Sequence, residues 1–395
     1  MRHKKSCVKL FAFYFTQRNL ILFYESMKPF VPETLPVAVN WEPLVPAIGK
    51  ANRAVAEYNG VLYGVPNPEV LLAPLTTQEA VLSSKIEGTR ATLGEVLEFE
   101  AGNAPEEQSR RLDIQEILNY RRALHAAEQS LKTKPFNLNL LKKLHAYLLE
   151  GVRGTNKRRG DFRQEQNWIG IEKTPVEQAD FVPPEPHLLP TYLDNWEKYY
   201  HAEQPDALVQ LAIVHAQFEI IHPFLDGNGR LGRILIPLFL MEKRLLTRPM
   251  FYLSAYLEEH REEYIARLRS LGHEDGCWNR WIEFFLLAVT EQAMLNVQKA
   301  RKIMDLYERL KGEIRELTRS QFAAPLLDLL FENPILRSSH FEGLPTMPSR
   351  PMISLLLGKL KKARILKTLQ EGRGRRAQIL AFHELLNLCE GRKAF

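Results

Sequence analysis

The stretch HPFLDGNGRLGR, residues 222–233, holds one imidazole, one carboxylate, three glycines and two arginines. An apolar run over residues 234–241 follows at once and predicts a helix that begins at the end of the stretch. Pro223 disfavours helical backbone at His222, so the preceding helix should end there. The sequence therefore predicts two helices joined by a short glycine-rich loop, with His222 at the entrance to the loop.

The backbone of this loop is suited to a phosphate group. Gly227, Gly229 and Gly232 allow a tight chain path and the close approach of a ligand. The helix predicted over residues 231–242 points its first N–H groups back into the loop, where they can bind an anion. The spacing does not match G-x-x-x-x-G-K-[ST], so the loop is not a P-loop.

Four side chains of the loop add charge or a proton acceptor. Arg230 and Arg233 are three residues apart and share a helix face, from which both guanidinium groups can bind phosphate oxygens. Asp226 is the only carboxylate, and a carboxylate combined with phosphates is a usual Mg²⁺ site. His222 can take a proton near neutral pH. The loop predicts Mg²⁺-nucleotide binding beside a general base; the alternative is a glycine-rich turn with solvated arginines.

The rest of the chain predicts a mainly α fold. An extended lead-in over residues 28–48 gives way to helical spacing from about residue 51, and a helix begins near Pro74 and ends near Gly88. The segment over residues 160–186 predicts a small β-hairpin flap. Further helices are predicted over residues 114–131, 138–149, 192–200, 207–221, 254–271 and 278–307.

Residues 317–395 predict a separate C-terminal module. Two helices, the second basic, precede two short strands around a Gly/Arg-rich turn, which is the order of a winged helix-turn-helix. Residues 350–376 hold nine Lys or Arg and one acid. DNA phosphates are one predicted partner of this face, and dimerisation or target docking is the alternative. We expect the module to matter little for chemistry. The basic side chains concerned are Lys359, Lys361, Lys362, Arg364, Arg373, Arg375 and Arg376.

The bulk composition predicts a globular protein of two or three domains, with 395 residues, 45% hydrophobic residues and a net charge of +6. Cys7, Cys277 and Cys389 are widely spaced, so no disulfide framework is expected and a reducing cytoplasm is the predicted location. Residues 1–26 start basic and turn apolar, but the run is too short for a signal peptide or a membrane span. They are expected to be a dispensable extension, with a second possible start at Met27, and no membrane association is expected.

The stretch HPFLDGNGRLGR resembles the signature of the Fic family, H-x-F-x-(D/E)-G-N-G-R-x-x-R, at every fixed position. NRAVAEYNGVLYGVPNPEVLLAPL, FRQEQNWIG and HREEYIARL also resemble Fic proteins that end in a winged helix. The resemblance covers roughly residues 30–395 and implies a Fic-type helical bundle. It divides the chain into an N-terminal helical region with an inhibitory helix, a catalytic core and a winged-helix domain, at residues 27–135, 136–316 and 317–395.

The resemblance implies protein AMPylation, the transfer of AMP from ATP to a Ser, Thr or Tyr hydroxyl of a target protein. His222 would deprotonate the hydroxyl, Asp226 would hold Mg²⁺, and Phe224 would anchor the loop in the core. Asn228, Gly229 and Arg230 would grip the phosphates and Arg233 the γ-phosphate. A later helix would bring Tyr264 near the adenine, the alternative being a core tyrosine. A homodimer is also implied. The implied ATP-binding residues of the loop are Gly227, Asn228, Gly229, Arg230, Leu231, Gly232 and Arg233.

A second motif, SSKIEGT, residues 83–89, resembles the inhibitory pattern of the family, (S/T)-x-x-x-E-(G/N), at Ser83, Glu87 and Gly88. Ser83 and Glu87 are four residues apart and so lie on one helix face. The resemblance implies that Glu87 reaches into the ATP site, pairs with Arg233 and denies it to the γ-phosphate. The alternative is a solvated glutamate at a helix end.

Several alternatives remain open from the sequence. The same fold could support a kinase or a phosphocholine transferase, although the intact Asp-Gly-Asn-Gly run favours AMP. A nucleotide-sensing DNA-binding regulator is a non-enzymatic alternative. Glu87 could also orient a water molecule for de-AMPylation. The flap, by resemblance, would pair with the backbone of the target as an added strand, or else only cover the cleft.

Overall fold

A computed structural model describes residues 28–153, 157–170, 175–271, 276–372 and 377–395. The predicted extension over residues 1–26 and Met27 lie outside them. The described residues up to the catalytic loop form eight helices: α1 Val45–Gly64, α2 Pro68–Leu71, α3 Ala73–Ile86, α4 Leu93–Glu100, α5 Gln108–Leu131, α6 Leu138–Leu148, α7 Leu189–His201 and α8 Ala207–Ile221. Those that follow the loop form α9 Asn228–Glu242, α10 Ser254–Glu259, α11 Arg261–Ser270, α12 Cys277–Thr318, α13 Ala323–Glu332, α14 Arg350–Lys362 and α15 His383–Glu390.

The mainly α prediction is confirmed, and α8 and α9 lie at its centre. Both helices are apolar on nearly all sides, which is typical of helices that are buried all round. α8 begins at the cap Asp206, whose carboxylate accepts hydrogen bonds from the N–H groups of Leu208 and Val209, both at 2.9 Å. α8 packs against α7, α9 and α12, and α12 packs along α1. The loop between α8 and α9 is therefore carried by two buried helices.

Predicted helix ends differ from the observed ends for local reasons. α1 begins at Val45 rather than near residue 51, because Pro46 suits a first turn. The helix predicted over residues 254–271 is two helices that meet at His260. The prediction missed α4, although its start carries a Thr-x-x-Glu signal. Thr92 and Glu95 there form a reciprocal capping box.

The predicted flap is a hairpin only in outline. Ile169 and Phe181 form an isolated antiparallel bridge, in which the Ile169 N–H donates to the Phe181 carbonyl at 2.8 Å. A 3-10 turn, Val176–Gln178, lies between the two arms. Residues 171–174 are outside the described part of the chain.

The C-terminal module has the element order of the predicted winged helix-turn-helix. α13 is followed by β1 Ile335–Leu336, a 3-10 turn, α14, β2 Lys367–Gln370, β3 Ile379–Ala381 and α15. The strands form one antiparallel sheet in the order β1-β3-β2. The predicted wing arginines Arg373, Arg375 and Arg376 lie outside the described residues.

The module is not set apart from the helical core. The predicted boundary at residues 316 and 317 falls inside α12, which continues to Thr318. α13 and α15 pack against α3, and the buried side chains of the module join the same hydrophobic core as the N-terminal helices. Lys359, a predicted DNA contact, instead donates to the carbonyls of Leu317 and Thr318 at the end of α12, at 3.3 and 3.2 Å. The module thus packs against the helical core, and its predicted bounds and winged-helix character stay predictions.

Within the described residues, none of the helices combines the length and the apolar character that crossing a bilayer requires.

Candidate active site

His222 ends α8 in a left-handed backbone conformation, with φ of 47°. Its N–H bonds the Phe218 carbonyl at 3.0 Å, and Pro223 prevents the helix from continuing. A left-handed backbone costs energy in residues other than glycine, so it needs support. Arg163 of the flap provides it, because its buried Nε donates to the His222 carbonyl at 3.0 Å and its Nη2 to the Pro184 carbonyl at 2.5 Å. Burial lowers the pKa of Arg163 to about 10, which leaves it cationic at neutral pH.

The imidazole of His222 is held in a form that can accept a proton. Its Nδ1 lies 3.3 Å from the Glu219 carbonyl, an atom that only accepts hydrogen bonds. We therefore assign the proton to Nδ1, which leaves the lone pair of Nε2 available. Burial lowers the pKa of His222 to about 4, so the ring is neutral at pH 7.

The side chain of Asn228 shapes the loop. Its Oδ1 accepts from the Phe224 N–H at 2.9 Å, and its Nδ2 donates to the Phe224 carbonyl at 2.8 Å. With the residue 1% exposed, both amide atoms are committed inside the loop. The phosphate contact predicted for Asn228 stays a prediction, and its backbone N–H, at the first position of α9, is available for it. Phe224 is fully buried, as predicted for an anchor.

His145 of α6 is a loop contact that sequence reasoning missed. Its ring stacks on Phe224 with centroids 3.8 Å apart, and its Nε2 lies 3.0 Å from the Asp226 carbonyl. Its Nδ1 accepts from the Gly160 N–H at 2.9 Å, so Nε2 carries the proton. Burial lowers the pKa of His145 to about 4, which keeps this neutral form at pH 7. A lone histidine in an apolar helix gave no signal of this contact.

The Asp226 carboxylate is surrounded by cations. Lys157 Nζ lies 3.2 Å from its Oδ2, and Arg230 Nη2 lies 3.6 Å from its Oδ1. Across the described part of the chain, three or more His, Cys, Asp and Glu side chains nowhere gather in a group that could hold a metal ion. A divalent cation at Asp226 would therefore take its other ligands from substrate oxygens and water, which is usual for Mg²⁺. In this structure the Lys157 ammonium places a positive charge beside the Asp226 carboxylate.

Arg230 is fixed by a carboxylate that is distant in sequence. Its guanidinium is 5% exposed, and Nη1 donates to Glu116 Oε2 of α5 at 3.1 Å. Glu116 also accepts from Arg153 at 3.1 Å and from Thr89 at 3.2 Å. Glu116 thus holds the Arg230 side chain in place. The sequence offered no signal for this role of Glu116.

Arg233 and Glu87 form the ion pair that the resemblance implied. Arg233 Nη2 lies 2.7 Å from Glu87 Oε1, and the guanidinium is 2% exposed. Ser83 supplies two more acceptors, its Oγ to Arg233 Nε at 2.8 Å and its carbonyl to Nη2 at 2.9 Å. Burial opposes ionisation of Glu87, but the attraction of Arg233 outweighs it and lowers the pKa of the Glu87 carboxyl. Ser83 and Glu87 therefore engage Arg233 together.

The Glu87 carboxylate also lies against the first turn of α9. A Cβ atom built on Gly229 would be 2.3 Å from Glu87 Oε1, so only glycine leaves room for it. The N–H groups of a first helical turn attract an anion at this point. The carboxylate occupies the position that the sequence assigned to a phosphate.

Gly88 fixes the end of α3, which carries the predicted inhibitory motif. Its φ is +97°, and its N–H bonds the Lys85 carbonyl at 2.9 Å, while the Thr89 N–H bonds the Ser84 carbonyl at 3.1 Å. These two bonds form a Schellman motif, which requires a left-handed residue such as Gly or Asn. The choice between Gly and Asn in the inhibitory pattern thus has a backbone reason. The helix end at Gly88 directly follows Glu87, whose carboxylate contacts Arg233.

Three predicted ATP-binding residues are packed beneath the loop. Leu231 is fully buried, and a Cβ atom on Gly232 would lie 2.2 Å from Glu219 Oε1, so Gly232 allows α8 and α9 to approach closely. Tyr264 is 4% exposed, and its hydroxyl lies 3.0 Å from Nε2 of His215. The geometry of Tyr264 is that of the core alternative, because its ring is enclosed by aromatic side chains. Gly227, with φ of 76°, caps α9 as a glycine must.

Comparison with known families agrees with this geometry. The model of the Fic/DOC family N-terminal region matches residues 45–129, and the model of the Fic/DOC family matches residues 135–240. A "Probable protein adenylyltransferase" of Aquifex aeolicus is 38% identical over 92 residues, which are 23% of this chain and 26% of that protein. A protein adenylyltransferase Fic of Culex quinquefasciatus is 27% identical over 144 residues, 33% of this chain and 26% of that protein. The chain thus matches about a quarter of the length of these two relatives.

Solved structures share the fold over a larger part of the chain. A Fic family protein from Desulfovibrio desulfuricans superposes with a TM-score of 0.55 at 17% identity, covering 90% of this chain and 98% of the other. Fic-1 from C. elegans, residues 134–508, gives a TM-score of 0.50 at 20% identity, covering 67% of this chain and 75% of the other. The signature loop, the two family models and the shared fold together assign this chain to the Fic family.

Proposed function

We propose that this protein transfers AMP from Mg-ATP to a Ser, Thr or Tyr hydroxyl of a target protein, and that Glu87 restrains this activity. The observation that carries the proposal is the junction of α8 and α9, where a neutral histidine faces an anion site at a helix N-terminus. The Glu87 carboxylate lies against Gly229 in the first turn of α9, and the Lys157 ammonium contacts the Asp226 carboxylate. The Glu87 carboxylate has the negative charge of the phosphate proposed for its position, and the Lys157 ammonium has the positive charge of the cation proposed at Asp226.

Reaction begins with the target hydroxyl beside His222. The hydroxyl oxygen forms a bond to the α-phosphorus of ATP as its proton passes to His222 Nε2. The bond from the α-phosphorus to the bridging oxygen of the β-phosphate breaks, and pyrophosphate leaves with the electron pair. The chain holds His222 through Arg163 and the Glu219 carbonyl, so that the base keeps its position and tautomer.

The phosphates are held by the first turn of α9 and by arginine. The N–H groups of Asn228 and Gly229 lie at a helix N-terminus and stabilise negative charge there. Arg233, released from Glu87, would bind the γ-phosphate through two guanidinium N–H groups. A Mg²⁺ ion held by Asp226 would neutralise charge on the phosphates when it is bound. In this proposal residues 136–316 form the catalytic core and residues 27–135 carry the restraint.

Glu87 restrains this chemistry because Arg233 cannot serve two anions fully. The ion pair, at 2.7 Å, leaves one fewer donor for the γ-phosphate, and the carboxylate repels any phosphate that enters the same turn. A nucleotide bound beside it would lack the placement required for in-line attack. Removal of Glu87 should therefore favour productive binding.

The experiment is incubation of the Glu87→Gly variant with ATP labelled at either the α- or the γ-phosphate. Label that is retained on protein only from α-labelled ATP supports adenylyl transfer, whereas label only from γ-labelled ATP would indicate a kinase. Absence of label from both, with retained ATP binding, would indicate a nucleotide sensor. Phosphocholine transfer would need a different donor, CDP-choline, as a parallel sample. Release of AMP from a modified target by wild-type protein tests de-AMPylation.

Two partners remain predictions. Lys361, Lys362 and Arg364 are exposed on the C-terminal module and could contact DNA, with affinity that falls steeply as salt rises. A homodimer is implied only by the family resemblance. Gel-shift measurements at several salt concentrations and light scattering test these two points.

A further inference from the structure

The inhibitory helix α3 is held on two opposite faces. Ser83 and Glu87 face Arg233 on one side. Gln78 lies nine residues before Glu87, which at 100° per residue is half a turn around the helix. On the side that carries Gln78 lies Lys299 of α12, which also bonds α15, and α13 and α15 both pack against α3. The helix that brings Ser83 and Glu87 to Arg233 is therefore also contacted on its opposite side, at Gln78.

Lys299 of α12 joins the inhibitory helix to the module. Its Nζ donates to Gln78 Oε1 at 3.2 Å and to the Cys389 carbonyl of α15 at 2.8 Å. Lys299 is partly buried, and burial lowers the pKa of its ammonium, while the two acceptors satisfy part of its hydrogen-bonding capacity. The Cys389 carbonyl lies in the last turn of α15, where helix carbonyls attract a cation. One ammonium thus links α3, α12 and α15.

The module also touches the segment that follows the inhibitory motif. Gly94, near the start of α4, is covered by the ring of Phe395, since a Cβ atom there would lie 2.9 Å from its Cζ. Gly102, just after α4, is covered by the guanidinium of Arg337 in the same way. Asn387 of α15 holds Phe395 in place by accepting from its N–H at 2.9 Å. Contacts with the module therefore continue from α3 through both ends of α4.

We propose that the C-terminal module is a second restraint on the inhibitory helix. Its contacts through α15 and Lys299 hold α3 where Glu87 engages Arg233, so a displacement of the module raises adenylyl transfer. The contacts exist when α3 is docked, and any contact specific to the docked state shifts the equilibrium toward it. This inference rests on the proposed function, and it assigns to the module a regulatory role in place of the independence that the sequence suggested.

The test is Lys299→Met in the full chain, which removes both donations and keeps an apolar side chain of similar length. Automodification from α-labelled ATP should rise about tenfold, the effect of one or two hydrogen bonds to a charged group. The same substitution in the Glu87→Gly background should change nothing, because the docked helix no longer blocks Arg233. Lys302→Met, at an exposed position of the same helix, is the matched control and should leave the rate unchanged.

A second readout separates this proposal from the proposed function. Hydrogen–deuterium exchange should be faster across α3 in Lys299→Met and unchanged in Lys302→Met. Unchanged exchange in α3, or an equal rise of transfer in both Glu87 backgrounds, overturns the second restraint. If Glu87→Gly transfers no label, the proposed function fails, and the exchange measurement alone decides whether the module holds α3. If Lys299→Met does not fold, Gln78→Ala takes its place with the same expectations, because it removes the contact from the side of α3.

Discussion

Glu87 and Arg233 are 146 positions apart in the chain, yet Glu87 Oε1 lies 2.7 Å from Arg233 Nη2 and against the backbone of Gly229. One carboxylate thereby contacts both an arginine and the first turn of a helix, which are the two features proposed to bind the phosphates of ATP. Under the proposed function this conformation would be a restrained one, and the following predictions concern its release.

Glu87→Gly should raise automodification from α-labelled ATP by roughly 10- to 100-fold and tighten ATP binding. The carboxylate is 40% exposed, so solvent weakens the ion pair and the gain should stay within that range. Glu87→Gln, which keeps the size and removes the charge, should give an intermediate rate. Arg233→Ala should be inactive with or without Glu87, because it removes the shared partner. An Arg233→Ala variant that regains activity when Glu87 is also replaced would contradict this model.

His222→Ala should reduce transfer about 10²–10⁴-fold, the usual contribution of a general base. The imidazole is placed to take a proton, while the phosphate contacts come from α9 and Arg233, so Mg-ATP affinity should change little. Both quantities are best measured in the Glu87→Gly background, by single-turnover transfer and by calorimetry. Transfer within threefold of the parent would exclude His222 as the base.

Substitutions of Gly88 test whether the left-handed backbone at the end of α3 is needed to place Glu87. A Cβ atom at this position would have no neighbouring atom within 4 Å, so the φ of +97° is the main penalty on substitution. Gly88→Val should cost about 1–2 kcal/mol in the docked conformation and raise transfer several-fold, whereas Gly88→Asn tolerates left-handed backbone and should stay near wild type. The difference should vanish when Glu87 is also glycine. Equal transfer rates for the two Gly88 variants would show that the Schellman motif does not aim Glu87.

Glu79→Gln should stabilise the protein above neutral pH. Glu79 is 4% exposed and bonds Ser254 and Tyr120, and burial raises the pKa of its carboxyl to about 7. The folded state therefore holds more protons than the unfolded state between about pH 4.5 and pH 7, and the free energy of unfolding falls as pH rises through this window. Glutamine reproduces the protonated form, so its Tm advantage should appear above pH 7 and disappear near pH 4.5. A Tm difference that is independent of pH would rule out this titration.

The chemistry of the loop was predictable because it is local. Pro223 ends one helix, Gly227 caps the next, and the groups between them are fixed by a few backbone angles. The same holds for the inhibitory helix, whose end at Gly88 follows from glycine alone. The sequence did not show that both polar atoms of the Asn228 amide bond the backbone of Phe224. The predicted phosphate contact of this residue stays a prediction.

Contacts between distant elements were beyond the reach of the sequence, except where a family pattern linked them. Arg163 supports His222 from 59 positions away, and Glu116 holds Arg230 from 114 positions away. Periodicity reveals that a helix has a buried face, but it does not state which helix covers that face. The packing of α13 and α15 on α3 was hidden for the same reason, and the order of elements over residues 317–395 suggested a separate module.

The sequence by itself determined the helical class, the loop of residues 222–233 with its histidine, carboxylate and arginines, and the motif that ends α3 at Gly88. Those features depend on local backbone preference and on the chemistry of neighbouring residues. Tertiary structure alone decided that the Asn228 amide bonds the backbone of Phe224, that Gly232 lies where α8 and α9 approach, that Tyr264 lies in the core, and that the C-terminal module packs against α3. Each of these depends on which surfaces meet when the helices pack.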